Sequence, residues 1–400
     1  MYANKDYIVN LRREIHQYPE IGFDLEKTIA VVERELNALD IPFTNKYGES
    51  SVVGFINPNK KHFTIGIRAD MDALAIEEKN DIFYKSKIEG QMHACGHDAH
   101  TAMLLGTAKA LKSMEKDLDC RVALIFQPSE EGVRSGAQEL VNGGLMDEID
   151  VIIGLHVENW LRSGCVGICS GRSMASSRNF RIDFYGATAH ATLPHTGVDA
   201  LAVAIRTYNN IQYMTSREIN PFSKFVCSIG KLQGGTTQNV IADHAFMLGT
   251  IRTFDMEVDS YITKRIEEIA RNSADEIGAK VVFDTSLQAH VLYNNPYLST
   301  LALNSAKKVV GEENIAKMPE KLSSEDFAQY LVKKPGVYIR LGTRNEEMGC
   351  VTLPHNNDFM IDENALPIGS DTCVQFVLDY MKGIDTQKIY NSDEREKNND

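Results

Sequence analysis

The segment MHACGHDAHTAMLLG, residues 92–106, constrains the chain more than any other, because it places Cys95 and His97 one residue apart just before a helical pattern. A thiolate and an imidazole are both good ligands for zinc and related metals. Alone, such a pair is a weak signal. Further candidate ligands and acids follow in four later segments, at Glu130 with Glu131, His156, His190 and His355. Their joint order along the chain predicts a metal centre.

The composition is that of an ordinary globular protein with an acidic balance. Its 400 residues exceed the size at which one hydrophobic core keeps growing, so we expect about two or three domains. A formal net charge of -13 argues against nucleic acid as a partner, since a phosphate backbone requires clustered Lys and Arg. The apolar runs are strand-sized, the start has no signal-peptide core, and seven cysteines fit reduced thiols. We therefore expect a cytoplasmic protein without a membrane partner.

Strand and helix patterns alternate through the first part of the chain. Helices are predicted at 5–18, 25–39, 99–113 and 135–144, and strands at 51–56, 62–70, 121–128 and 151–157. Such alternation predicts an α/β fold with a mostly parallel sheet covered by helices, in which we expect 51–56 and 62–70 to be neighbours. Ligands bind beyond the carboxyl ends of the strands in such sheets. Glu130, Glu131 and His156 fall at that edge.

The pattern changes at residue 179. Strands at 180–186, 224–232, 246–254 and 280–286 enclose helices at 198–215 and 258–275. This β-α-β-β-α-β order is typical of a ferredoxin-like α+β sandwich, and it predicts an inserted domain at 179–290 between two parts of a catalytic domain, 1–178 and 291–385. The second part is predicted to carry helices at 297–310, 324–332 and 364–382 and a strand at 336–342. A disordered tail is expected at 386–400, because its last ten residues lack apolar side chains.

The candidate residues match the needs of amide hydrolysis. That reaction requires an activated water, a Lewis acid on the carbonyl and a group that moves protons to the leaving amine. Two divalent ions about 3.5–4 Å apart can share a hydroxide and meet the first two needs. Glu130 is assigned as the general base. The five predicted ligands favour zinc, with manganese, cobalt or nickel as alternatives, and they are Cys95, His97, Glu131, His156 and His355.

Supporting roles are predicted for several further residues. Asp72 and Asp98 are expected to orient ligand imidazoles, because metal-bound histidines usually donate their other nitrogen to a carboxylate. His190 has neither cysteine nor carboxylate beside it in GATAHATLPH, which favours an oxyanion-stabilising role on the inserted domain. Asn239 and Arg252 suit a substrate carboxylate. The other histidines are interpreted as structural, except His93, His100 and His195, which are interpreted as packing or orienting residues.

On these residues the chain resembles the amidohydrolase branch of the two-metal peptidases, which includes aminoacylases, hippurate hydrolases, auxin-conjugate hydrolases and N-acetyldiaminopimelate deacetylases. The matching segments span nearly the whole chain in the family's order. They are REIHQYPE, RADMDAL, MHACGHDAHTAMLLG, FQPSEEG, GLHV, GATAHATLPH, GGTTQNVI, GTIRTF, SSEDF and LPHNNDF. The resemblance implies a zinc-peptidase-like catalytic domain, an inserted lid that also dimerises, and cleavage of N-acyl amino acids.

Carried over position by position, the resemblance implies the same five metal ligands, Glu130 as base, and His190 as a lid histidine that acts in its own subunit or in the partner's. Two departures bear on substrate preference. Ala242 stands where the family often has proline, and Val133 with Arg134 follows the paired glutamates where the family has small glycines.

Three alternatives stay open at this point. A dipeptidase or carboxypeptidase could use the same centre. A metal-free hydrolase would use Cys95 as a nucleophile activated by His97, and chelators would leave it active. A metal or ligand binder on the same fold would leave every N-acyl amino acid intact.

Overall fold

The computed structural model describes residues 4–383 and 386–392. The chain divides into two compact units. The first comprises Met1–Ser173, Tyr293–Pro319 and Asp326–Asp400, and the second comprises Met174–Leu292 with Glu320–Glu325. The second unit thus begins five residues before the predicted inserted domain and also takes in a short later segment.

The elements before the second unit alternate as the sequence predicts. They are α1 (Lys5–His16), α2 (Glu26–Ala38), β1 (Phe43–Thr44), β2 (Val52–Ile56), β3 (Thr64–Asp70), α3 (His97–Ser113), β4 (Arg121–Gln127), α4 (Gly136–Asn142), β5 (Val151–Arg162), β6 (Val166–Ile168) and β7 (Gly171–Met174). The second unit contains β8 (Ser177–Tyr185), α5 (Ala200–Arg217), β9 (Phe225–Gly234), β10 (His244–Thr253), α6 (Met256–Asp275) and β11 (Lys280–Ala289). The remaining elements are β12 (Leu292–Asn294), α7 (Pro296–Val310), β13 (Ile315–Lys317), α8 (Ala328–Lys333), β14 (Gly336–Arg344), α9 (Leu366–Tyr380) and α10 (Thr386–Asn391).

The first unit is built on an eight-stranded sheet in the order β1-β2-β4-β3-β5-β14-β6-β13. Its central strands β4, β3, β5 and β14 run parallel, which confirms the predicted α/β fold. The expectation that β2 and β3 are neighbours is wrong, since β4 lies between them and pairs antiparallel with β2. A hydrophobic pattern identifies a buried strand but does not contain the identity of its pairing partner.

Helix α3 sets the position of the site. Fourteen of its residues are buried, because α1 and α9 pack on it from one side and the sheet from the other. Gly106 allows α1 to approach closely, since a Cβ there would lie 2.6 Å from the side chain of Ile8. A helix held on so many sides delivers its first residue, His97, to a fixed point at the carboxyl edge of the sheet.

The second unit is an antiparallel sheet in the order β11-β8-β10-β9 with two helices on one face. Alternate residues of β8, namely Phe180, Ile182 and Phe184, point into the core that α5 and α6 cover. Asp199 and Asp255 cap the first turns of those helices with their carboxylates. Element order and strand order together confirm the ferredoxin-like arrangement.

Two predicted elements near the end of the chain are wrong. The helix expected at 324–332 begins only at Ala328, and the Ser324 hydroxyl instead accepts a hydrogen bond from Arg252. The tail expected to be disordered contains α10, whose Ile389 is buried and whose main chain accepts a hydrogen bond from Asn295. Residues 393–400 of that tail lie outside the described residues. Among the helices that the structure describes, none combines the length and apolar character that crossing a bilayer requires.

Candidate metal centre

The two candidate ligands at the start of α3 depend on the glycine between them. Gly96 has φ +89°, a left-handed conformation that favours glycine. A Cβ there would lie 2.5 Å from Cγ2 of Val157 on β5. Only glycine therefore lets the loop of Cys95 press against the strand that carries His156.

All five predicted ligands come together in the first unit. They form two groups that share Cys95, one with His97 and His156 and the other with Glu131 and His355. In each group one ligand atom per residue lies within 4.8 Å of the others. The thiol sulfur of Cys95 is 3.4 Å from Nε2 of His156, and Nε2 of His355 is 2.9 Å from Oε1 of Glu131.

Hydrogen bonds turn the ligand atoms of two histidines toward this cluster. Nδ1 of His156 donates to the carbonyl of Val157 at 2.5 Å, which leaves Nε2 with its lone pair beside Cys95. Nδ1 of His97 faces Oδ1 of Asp72 at 3.2 Å, which leaves its Nε2 for the cluster. This is the arrangement by which proteins fix the tautomer of a metal-binding histidine.

Two buried atoms in the cluster lack hydrogen-bond partners among the described residues. They are Nε2 of His97 and Oε1 of Glu131, the latter approached by His355 without hydrogen-bond alignment. Buried polar atoms are normally satisfied, so such a pair calls for an explanation. A divalent cation would satisfy both, and a set of thiolate, imidazole and carboxylate donors fits zinc. The residues present therefore fit the metal that the sequence predicts.

Asp72 organises the acids around the ligands. Its Oδ1 accepts the backbone N–H of Glu130 and its Oδ2 that of Glu131, each at 3.0 Å. The same carboxylate faces His97, so one buried side chain holds a candidate ligand and the loop of both glutamates. Glu130 and Glu131 each place an oxygen within 4.8 Å of a nitrogen of His97.

Asp98 does not take the predicted place. Its Oδ2 lies 2.7 Å from Nε of Arg12 and 2.7 Å from Nδ1 of His16, and neither is a candidate ligand. The prediction that Asp98 orients a ligand histidine is therefore wrong. Adjacent residues on a helix point in different directions, so the neighbour of His97 on α3 faces α1 instead of the cluster.

The charges of the cluster are those of a site built around a cation. Burial raises the pKa of the Cys95 thiol well above its usual range, and the charges of Glu131 and Glu130 raise it further. Burial lowers the pKa of His97, but Asp70 and Asp72 outweigh it and raise that pKa to about 10. Burial raises the pKa of Glu131, whereas His355 and His97 together bring it below its ordinary value.

His355 has a strained backbone, with φ +65°. Its amide donates to the carbonyl of Ala94 at 2.8 Å, which ties its loop to the segment that carries Cys95. Local strain at a residue that the surrounding structure holds in place is common at functional sites.

The other predicted residues lie in the second unit. His190 and Asn239 sit on paired segments, where Ala191 donates to the carbonyl of Asn239 at 3.1 Å. Both side chains are exposed. Arg252 on β10 is partly buried, and burial lowers its pKa.

Apart from a packing or orienting role for His100, sequence reasoning did not predict a second set of buried polar residues in the first unit. Asp70, His100 and Arg68 form a connected group beside the ligands. The one available signal was the run of acids at the end of β3. Glu158 and Arg340 also form a buried pair, at 3.1 Å, on the two strands where Arg340 is in register with His156.

Comparison with known proteins agrees with this geometry. Residues 66–379 match the model of peptidase family M20/M25/M40. The chain is 37% identical to thermostable carboxypeptidase 2 of Saccharolobus solfataricus, over 92% of this chain and 93% of that protein. It is 34% identical to N-acetyl-L-cysteine deacetylase of Bacillus subtilis, over 90% of this chain and 84% of that protein.

A solved structure gives the same result. The chain superposes on a dinuclear metal-binding peptidase of Bacillus subtilis with a TM-score of 0.80 and 30% sequence identity, covering 95% of this chain and 99% of the other. This chain belongs to peptidase family M20/M25/M40 and is a metal-dependent hydrolase.

Proposed function

We propose that the protein hydrolyses the amide bond of N-acyl amino acids, with an acetyl or aromatic acyl group, to a carboxylate and a free amino acid. Two divalent ions per subunit, zinc first, would occupy the groups that share Cys95. The observation that carries the proposal is the placement of a further acid, Glu130, within 4.8 Å of the ligand atoms of His97 and Glu131. A site that only stored metal would not need that acid.

The ions, when bound, would lower the pKa of a coordinated water and polarise the substrate carbonyl. Cys95, His97, Glu131, His156 and His355 would hold them. Glu130 would take a proton from the attacking water and pass it to the leaving nitrogen. Its backbone N–H is fixed by Asp72, so the side chain starts from a defined position.

His190 would stabilise the oxyanion. The backbone N–H of Thr192 donates to its Nδ1 at 3.2 Å, which assigns the proton of the neutral ring to Nε2. That N–H is then available as a donor. Mixed dimers of one His190→Ala subunit and one subunit with an inactive metal centre would assign His190 to its own subunit's site or to the partner's.

Arg252 would bind the carboxylate of the amino acid product, with Asn239 as a second polar contact. Among the described residues, no carboxylate lies within ion-pair distance of Arg252, whose Nη1 donates to Ser324 at 2.7 Å. A partly buried guanidinium without an acidic partner is suited to an anionic ligand. The carboxyl end of a peptide would require the same cationic partner.

That shared requirement supports a second candidate, a carboxypeptidase or dipeptidase activity. The similarity to thermostable carboxypeptidase 2 favours it, as the similarity to N-acetyl-L-cysteine deacetylase favours the first. Both substrates present an amide next to a carboxylate. A matched panel of N-acetyl, N-benzoyl and N-glycyl derivatives of the same amino acids, assayed with zinc, manganese or cobalt, separates the two. Faster turnover of the N-glycyl compounds would replace the first proposal by the second.

The cysteine-hydrolase alternative fits the site less well. Burial raises the pKa of the Cys95 thiol, and the imidazole within hydrogen-bond distance of its sulfur is that of His156. A thiol nucleophile requires the opposite shift. Full activity in the presence of a strong chelator would support the thiol enzyme.

We further propose a homodimer or higher homo-oligomer formed through the second unit, in the cytoplasm. Strand β9 is an open edge of its sheet, and α5 exposes Ile205, Tyr208 and Tyr213. Open edges and exposed apolar side chains are features of assembly surfaces. All seven cysteines are free, which fits a reducing compartment. Light scattering at several protein concentrations tests the assembly, and a constant monomer mass would contradict it.

A further inference from the structure

Asp70 ends β3 and is completely buried beside the metal centre. Its Oδ1 lies 2.6 Å from Nδ1 of His100. Its Oδ2 lies 2.6 Å from Nη1 of Arg68 and 3.7 Å from Nε2 of His97. Both oxygens are thus engaged by fixed partners, so Asp70 is not free to act as a ligand in place of the five residues already described.

His100 connects Asp70 to the strand of another ligand. The backbone N–H of Val157 donates to Nε2 of His100 at 2.9 Å, so the proton of the neutral ring is on Nδ1 and is donated to Asp70. Val157 follows His156, whose own Nδ1 donates to the carbonyl of Val157. The main chain of Val157 is therefore held on one side by His100 and on the other by the ligand itself.

Arg68, which binds Oδ2 of Asp70, is itself held by further hydrogen bonds. Nε of Arg68 donates to Gln127 at 2.8 Å, and its Nη2 lies 2.9 Å from Asp326. Asp326 in turn accepts the hydroxyl of Ser135, the N-cap of α4, at 2.7 Å. Buried polar networks whose members are satisfied hold a single geometry. The position of Asp70 is thus set by β4 and α4 as well as by its own strand.

We propose that Asp70 and His100 are positioning residues for one of the two metal groups, that of Cys95, His97 and His156. Asp70 reaches His156 through His100 and Val157, whereas its Oδ2 lies 3.7 Å from Nε2 of His97, beyond hydrogen-bond distance. Neither Asp70 nor His100 makes a hydrogen bond to Glu131 or His355 among the described residues. The two groups therefore differ in how they are built, and the proposal rests on the proposed two-ion centre.

The test is a metal titration of metal-free protein, with zinc competed by a chromophoric chelator and with the visible spectrum of bound Co²⁺. Asp70→Asn and His100→Leu should each lower the affinity for one of the two ions by roughly 10–100-fold. This is the usual effect of removing a hydrogen-bond partner of a metal ligand. The other ion should bind as in the wild type. The cobalt spectrum should then report the ion held by Cys95, Glu131 and His355, because neither Glu131 nor His355 is hydrogen-bonded to Asp70 or His100.

Two further variants separate positioning from general destabilisation. His100→Gln keeps an acceptor for the N–H of Val157 and should recover part of the lost affinity. Tyr330→Phe removes the buried hydrogen bond from Tyr330 to Gln127, in the outer part of the same network, and should lower thermal stability without changing either affinity. If His100→Leu does not fold, Asp70→Asn and His100→Gln carry the test.

Unchanged affinity for both ions in Asp70→Asn and His100→Gln would overturn the positioning role. An equal loss of affinity for both ions would overturn the assignment of Asp70 and His100 to one metal group. A wild-type protein that binds no divalent ion would instead overturn the proposed metal centre, and this result is distinct from the other two.

Discussion

His97 and Asp72 of the first unit lie in surroundings opposite to those of His190 and Asn239 in the second, whereas His355 is exposed and Arg252 is partly buried. In the first unit, His97 and its partner Asp72 are fully buried and fixed by hydrogen bonds from several elements. In the second unit, His190 and Asn239 are exposed on paired loop segments and are held by neighbours within a few residues or by main-chain pairing. The first pair is held in a fixed position by the fold, and the second pair is exposed to solvent.

This difference separates two tasks. Metal ligands must keep a fixed geometry through every turnover, which buried networks provide. Groups that meet the substrate must be reachable when it arrives and are commonly carried on surface loops. Variants in the first unit should therefore change metal binding or the proton transfer step, whereas variants in the second should change turnover with metal content intact.

The largest effect is expected at Glu130. Glu130→Gln should lower kcat by roughly 10²–10⁴-fold, because an amide cannot take the proton of the attacking water. Bound metal, measured by elemental analysis, should stay at the wild-type level. Glu347→Gln, which changes an exposed glutamate of the same unit, is the matched control and should keep full activity. Retained turnover in Glu130→Gln would remove that residue as the base.

His190→Ala tests the second unit. Loss of one oxyanion donor costs about 2.7–4 kcal/mol of barrier, so kcat should fall by roughly 10²–10³-fold at unchanged metal content. His195→Ala, an exposed histidine five residues further on, should have little effect. Equal losses in the two variants would indicate that the segment, and not the imidazole of His190, is what matters.

The two aspartates near His97 sharpen the comparison within the first unit. Asp72→Asn should weaken zinc binding by roughly 10–100-fold, because Asp72 orients a candidate ligand. Asp98→Asn should lower the melting temperature and leave zinc affinity unchanged, because Asp98 pairs with Arg12 and His16. Competition titrations and thermal unfolding of both variants give the two quantities. A loss of zinc affinity in Asp98→Asn would restore the role that the sequence suggested.

Arg252 should give the smallest effect. Arg252→Gln should raise KM for an N-acyl amino acid about tenfold, which corresponds to about 1.4 kcal/mol and to one charge-assisted hydrogen bond. Arg271→Gln, on the surface of α6 where Arg271 pairs with Glu267, serves as control. A substrate lacking the carboxylate should lose this dependence. An unchanged KM for the carboxylate substrate would leave Arg252 as a structural residue.

Much of this arrangement could be predicted from the sequence, for reasons that particular residues show. Glu131 follows the buried strand β4 and Cys95 precedes α3, and topology brings such positions to one edge of the sheet. His156 is predicted at a strand end but lies within β5, which continues to Arg162. The order of β2, β4 and β3 could not be predicted, because pairing depends on tertiary contacts absent from a local pattern. The same holds for individual side-chain directions, as Asp98 shows.

His100 illustrates a further limit. The sequence places it one turn after His97, where packing and orienting roles are equally plausible. Its function depends on the N–H of Val157, more than fifty residues away, and on a carboxylate that ends another strand. Such links arise only when three elements meet, so no single segment of the chain contains them.

The central claim is that two divalent ions, held by the two groups that share Cys95, are required for hydrolysis. The most direct measurement is elemental analysis of purified, active protein, combined with stepwise return of zinc to chelator-treated protein while amide hydrolysis is followed. We expect two divalent ions per chain in active protein and activity that is lost with the ions and restored with them. Full activity in protein that holds no divalent ion would contradict the claim.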